Sequence, residues 1–278
     1  MNRIRFRWPE GKTYGALISV DLEAQYFAKM YYPDEDIDLE SGEIYSLGKE
    51  AMSSGLEKLL DVLDEYNVKA TFFVLGAICD QYPEKIKEIS ARGHEIGSHG
   101  YYHENLANMT YEEQKQVITA SKKRIEELTG SKVKGFRMPE GEITEDTYEI
   151  LKEAGYTYSS SLSDNDIPYI RSNGLTELPI HWELYDLPYF AYTFDPPIPQ
   201  SQGRSSNAND VLANWMYELE GARRFGTLMN VQLDPQAIGE QGRIFILEKL
   251  LKELCSDETA WIATGEEISQ YAETTGKE

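Results

Sequence analysis

The sequence predicts an α/β fold: a mostly parallel sheet closed on itself as a distorted seven-unit (β/α) barrel. Three observations lead there. Apolar runs of strand length alternate with amphipathic helical stretches along the chain. About seven such units fit within ~250 residues, the scale of a barrel built from βα repeats. Polar clusters fall where predicted strands end, which is where folds of this kind gather their chemistry. A doubly wound open sheet meets the first and third observations equally well. No repeat, low-complexity tract or linker interrupts the pattern, so one domain over 1–278, with a core of about 13–270, is the expected organisation.

Taken in order, "YGALISV" (14–20) is a buried strand that runs into Asp21. Residues 49–66 carry Leu56, Leu59, Leu60 and Leu63 at helical spacing. "KATFFVLG" (69–76) is the next strand, and "PEKIKEISARG" (83–93) a helix closed by glycine. "HEIGSH" (94–99) is a short strand ending on a histidine. The helix 110–129 opens with "TYEE", the Thr-x-x-Glu form of a capping box. Strand 133–139, helix 145–155 and strand 156–162 follow. After an irregular middle come strand 227–233, helix 241–255 and strand 260–264.

Bulk properties narrow the partners. The formal charge of −21 repels phosphate backbones and anionic headgroups, which argues against nucleic acid and membrane surfaces. The longest apolar runs fall short of the ~18–20 residues a span needs. "MNRIRFRWPEGK" lacks the apolar core of a secretion signal, so a cytoplasmic location is expected. Cys79 and Cys255 read as two buried free thiols rather than a disulfide.

Two of the four histidines, His99 and His103, stand four apart in "GSHGYYHENL". Four-residue spacing places two imidazoles on one side of a helical turn, though such pairs also arise by chance. A separate carboxylate pair, Asp21 and Glu23, ends another predicted strand. Two imidazoles and one carboxylate make an open divalent site with positions left for water and substrate. Zn2+ suits the set best; Co2+, Ni2+ and Mn2+ satisfy the same donors. Either carboxylate serves as ligand and the other as general base.

"SVDLEAQ", "GSHGYYHENL" and "GFRMPEG", in that order and spacing, resemble the motifs of the polysaccharide deacetylase family, the NodB-homology domain of carbohydrate esterase family 4. The likeness extends to "AWIATGEEI" near the end of the chain. "SSLSDNDIPY" and "LTELPIHWELYDLPYF" resemble the branch that holds cytoplasmic peptidoglycan deacetylase-like and allantoinase-like proteins. The resemblance implies a distorted seven-stranded barrel of the NodB type and assembly into homo-oligomers, tetramers in the related branch. It also implies roles: Asp21 as base, Glu23, His99 and His103 as metal ligands, and Arg137 holding the base through a bidentate pair.

Two departures stand out against that family. Asp234 occupies the place of the usual late histidine, and a carboxylate acts as an acid only if burial or a like charge raises its pKa. Either Asp234 is protonated in the complex, or the substrate differs, or activity is weak. Glu23 replaces the usual ligand Asp, which shifts the ion by about one C–C bond, a displacement large enough to matter in catalysis. In the middle segment Trp182, Tyr185, Tyr189, Phe190 and Tyr192 form an aromatic group suited to stacking on a sugar ring or flat cyclic amide. Asp166 and Asp186 are candidates for orienting substrate, and His181 for replacing the missing histidine.

These features point to hydrolysis of a non-peptide C–N amide bond by metal-activated water, with an N-acetylated sugar, oligosaccharide or related small molecule as substrate. A cyclic amide or ureide hydrolase and a catalytically impaired binding protein are the alternatives.

Overall fold

The computed structural model describes residues 6–30, 38–190 and 206–275. Its sheet contains β1 (Tyr14–Leu22), β2 (Thr71–Val74), β3 (Glu95–Ser98), β4 (Gly135–Phe136), β5 (Tyr158–Ser159), β6 (Tyr169–Ile170), β7 (Thr176–Glu177), β8 (Leu228–Leu233) and β9 (Ala260–Ile262). Seven of these strands run parallel in the spatial order β7-β5-β4-β3-β2-β1-β8. β6 folds back antiparallel on β7. β9 pairs with the start of β1, the stretch that β2 does not reach.

Every residue of β1 and β8 is buried, as expected of central parallel strands covered on both faces. Helices supply the outer cover. Leu56, Leu59, Leu60 and Leu63 turn one face of the helix Leu56–Glu65 inward, following the leucine spacing. The helix Tyr111–Thr129 has a complete capping box between Thr110 and Glu113, and stops at Gly130, whose φ of 72° only glycine adopts freely.

The barrel closes without a continuous ladder. Among the described residues, β8 meets the segment after β7 through one parallel bridge, Tyr185 to Gln232. The Asp186 N–H donates to the Gln232 carbonyl at 3.1 Å, and the Leu228 N–H to the Asp166 carbonyl at 2.8 Å. Side chains seal the rest: Asn230 Nδ2 donates to the Pro179 carbonyl at 2.9 Å. β4, β5 and β7 have two residues each, too few to form long ladders, which is why the barrel is distorted.

The interior is layered. Trp8, Leu17 of β1, Phe73, Tyr158, Leu178 and Leu228 of β8 form an apolar plug. Two residues further along, Ser19 and Asn230 replace apolar groups, and their side chains bond at 3.0 Å. Two further on come Asp21 and Gln232. Alternation along a strand sends each of these sets to the same face, so polarity rises towards the carboxyl ends.

Two elements differ from the sequence reading. An 18-residue helix, Ala208–Phe225, fills the irregular middle, burying Val211, Trp215, Leu219 and Ala222 between an Asn207 cap and Gly226. Both cysteines are free, but only Cys79 is buried; Cys255 is exposed on its helix rather than packed in the core.

Candidate metal centre and acid–base site

The site residues come from the carboxyl ends of parallel strands. Glu23 follows β1, His99 follows β3, Arg137 follows β4, Ser160 follows β5 and Asp234 follows β8. Asp21 lies in the last turn of the β1 pleat. All except Ser160 were candidates from sequence; all six are buried.

Glu23 Oε1 lies 2.9 Å from His99 Nε2 and 3.1 Å from His103 Nε2. The donor atoms of the three residues all lie within 4.8 Å of one another. His99 and His103 converge through a loop, not a helical turn. Gly100 has a φ of 80° and His103 a φ of 61°, so the backbone enters the left-handed region twice within five residues. A non-glycine residue in the left-handed region costs on the order of 1–3 kcal/mol, a strain typical of functional sites. Glu104 steadies the loop by accepting the Tyr101 and Tyr102 N–H groups at 3.0 and 2.9 Å.

The donor set fits a divalent cation. His99 Nδ1 lies 3.0 Å from the Arg137 carbonyl, so it carries the proton and Nε2 offers its lone pair to the cluster. Lone pairs from two neutral imidazoles aimed at one carboxylate oxygen repel it unless a proton or a cation lies among them. Glu23 Oε2 and His103 Nδ1 are buried without hydrogen-bond partners among the described residues, Glu140 Oε2 lying 3.9 Å from His103 Nδ1. Burial by itself would raise the Glu23 carboxyl, but His103 and His99 hold it below the usual carboxylate range. Burial alone would lower His103, yet the Glu23 charge, with Glu140 beside it, raises it. The buried Glu23 anion thus calls for positive charge at the centre, which a proton on His103 or a cation in its place supplies.

Beside this cluster, Arg137 Nη1 donates to Asp21 Oδ1 at 2.9 Å. The expected bidentate pair does not form. The other guanidinium nitrogens, Nε and Nη2, bind the Ser160 carbonyl at 3.0 Å and its Oγ at 2.9 Å. Gln232 Nε2 takes the second Asp21 oxygen instead, at 2.6 Å. Sequence reasoning missed Gln232, Asn230 and Ser160. The signal was polar residues at alternate positions 230 and 232 of an otherwise apolar, buried strand that runs into Asp234.

Asp234 is fully buried, and its Oδ2 has no partner among the described residues. Burial pushes its carboxyl well above the usual range, and Glu23, Asp186 and Asp21 push it further. Asp186 lies next to it: both its oxygens accept the Asp234 N–H, at 3.1 Å. Asp186 therefore positions Asp234, and its carboxylate faces backbone rather than an open pocket. His181 Nε2 lies 3.8 Å from Asp166 Oδ1 and makes no hydrogen bond to the cluster among the described residues. Trp182 is 63% exposed, Tyr189 half-buried, and Tyr185 and Phe190 buried. Tyr192 lies outside the described residues.

A family model described as polysaccharide deacetylase matches residues 45–159, the stretch that holds both histidines and Arg137. Residues 45–159 carry the sequence features of a polysaccharide deacetylase domain. The chain is 27% identical to a peptidoglycan deacetylase of Helicobacter pylori, over 83% of this chain and 92% of that one. The solved structure of a candidate polysaccharide deacetylase from Mycobacterium smegmatis superposes with a TM-score of 0.90 and 29% identity, covering 98% of this chain and 94% of the other. PuuE allantoinase shares the fold at a TM-score of 0.84 and 19% identity, over 99% and 95%. The chain is an enzyme of the deacetylase class of amidohydrolases.

Proposed function

We propose that this polysaccharide deacetylase homologue removes the acetyl group from an N-acetylated sugar or a related small substrate by attack of water on the amide carbonyl. The observation that carries the reading is the buried Asp21–Arg137 pair beside the three-donor cluster of Glu23, His99 and His103. A divalent cation held by those three residues, Zn2+ foremost, supplies Lewis acidity and lowers the pKa of water. Asp21 takes the proton from the attacking water, with its two oxygens fixed by donors from the end of β4 and from β8. Asp234 gives a proton to the departing nitrogen. Its raised pKa keeps it neutral, so no anion stands beside the oxygen that gains charge. The half-buried and exposed aromatics Tyr189 and Trp182 offer faces on which a sugar ring can stack. A cytoplasmic location and self-association belong to the same proposal, and cell fractionation and light scattering test them.

The central test uses protein purified without chelator. The expected result is about one equivalent of metal and acetate release from N-acetylglucosamine oligomers. His103→Ala should lose both metal and at least ~100-fold in activity, since removing a ligand disrupts the centre. Bound metal with ring opening of a cyclic ureide would redirect the reading to that substrate class. Metal-free protein with neither activity would refute it.

A further inference from the structure

We infer that Gln232 is a positioning residue of this site: it fixes the plane of the Asp21 carboxylate, which Arg137 alone leaves free to turn. The inference rests on the functional reading above. Arg137 offers Asp21 a single bond, because Nε and Nη2 are held by Ser160. A carboxylate on one hydrogen bond can rotate, since the terminal torsion of Asp has only a broad, shallow preference. Gln232 Nε2 donates to the other oxygen at 2.6 Å and removes that freedom. The two donors arrive from β4 and β8, on opposite sides of β1 in the sheet.

The length and charge of residue 232 both follow from its place. The β1–β8 register sets Gln232 beside Ser19, two residues short of Asp21. At ~3.3 Å per residue the side chain must span about 7 Å along the strand direction less the lean of the two side chains, which suits Gln and is too far for Asn. A neutral amide also adds a second donor to Asp21 without adding a second positive charge to the one from Arg137. The Gln232 backbone carbonyl separately accepts the Asp186 N–H and helps close the barrel. That contact survives a change of side chain, which makes the position testable.

The experiment is a double-mutant cycle on acetate release from an N-acetylglucosamine tetramer, using Gln232→Met, Asp21→Asn and the pair, with bound metal and melting temperature measured for each. Gln232→Met keeps length and loses the donor. It is expected to lower kcat about 10- to 100-fold with KM and metal content unchanged, the effect of losing one hydrogen bond to a charged group. In the Asp21→Asn background the same change should do little more, because Gln232 acts only through Asp21. Gln232→Asn should resemble Gln232→Met, because it cannot reach. If Gln232→Met stays within twofold of wild type while Asp21→Asn abolishes turnover, this inference alone fails. If the two effects multiply in full, Gln232 acts elsewhere and the inference fails likewise. If Asp21→Asn is as active as wild type, the functional reading falls and takes this inference with it.

Discussion

At the scale of single residues, Asp234 shows how a side chain's chemistry depends on its surroundings. In water an Asp is ionised at neutral pH and a poor acid. Here burial, with Glu23, Asp186 and Asp21 nearby, raises its pKa well above the ordinary value. The sign follows directly. The group is protonated below its raised pKa, so acid catalysis is present at lower pH and fades as pH rises through that value. Asp234→Asn is expected to reduce kcat by ~10²- to 10⁴-fold and to abolish the basic limb of the kcat–pH profile. A variant with the basic limb intact would assign the acid to another group. Asp234 itself was visible in the sequence as a departure from a motif. Its protonation was not, because that depends on three carboxylates far away in the chain.

At the scale of elements, the helices with strong local signals matched their predictions most closely. The helix Tyr111–Thr129 begins and ends where its capping box and Gly130 say it should. Thr110→Ala should cost about 1 kcal/mol and lower the melting temperature by ~2–4 °C, with kcat unchanged because this helix packs on the outside of the barrel. Calorimetry and turnover measured on one sample check both halves. The helix Ala208–Phe225 was missed although Val211, Trp215, Leu219 and Ala222 have helical spacing. Its apolar stripe is narrow and broken by exposed charges, so periodicity alone reads weakly there. The histidine loop is the opposite case. Its residues were found from sequence, but the spacing suggested a helical turn, whereas Gly100 and His103 bend the backbone through left-handed conformations. Convergence, not periodicity, brings the imidazoles together.

For the whole molecule, charge and topology dominate. A formal charge of −21 works against the compact state by self-repulsion, while it favours solubility. Raising salt from ~20 to ~200 mM shortens the screening length from roughly 20 Å to under 10 Å, so the melting temperature should rise by a few degrees. A flat or falling melting curve series would show that local ion pairs outweigh the net charge. Topology decides where the site forms. Parallel strands align their carboxyl ends, and the β1–β8 register, continued by one residue beyond its last pair, brings Asp234 beside Asp21. A slip of β8 by one residue would turn Asp234 away from the interior and leave Asp21 without it.

Most of the strand and helix alternation, the family motifs and the principal chemical groups are legible in the chain itself, because each is written in local spacing or residue type; the helix Ala208–Phe225 is the exception. The sequence did not determine that Arg137 gives Asp21 one bond, that Gln232 gives the other, or that Asp186 holds the backbone of Asp234. Those contacts join residues 48 to 211 positions apart. Only strand register and barrel closure bring such partners within hydrogen-bond distance, and neither leaves a mark in any short stretch of the chain.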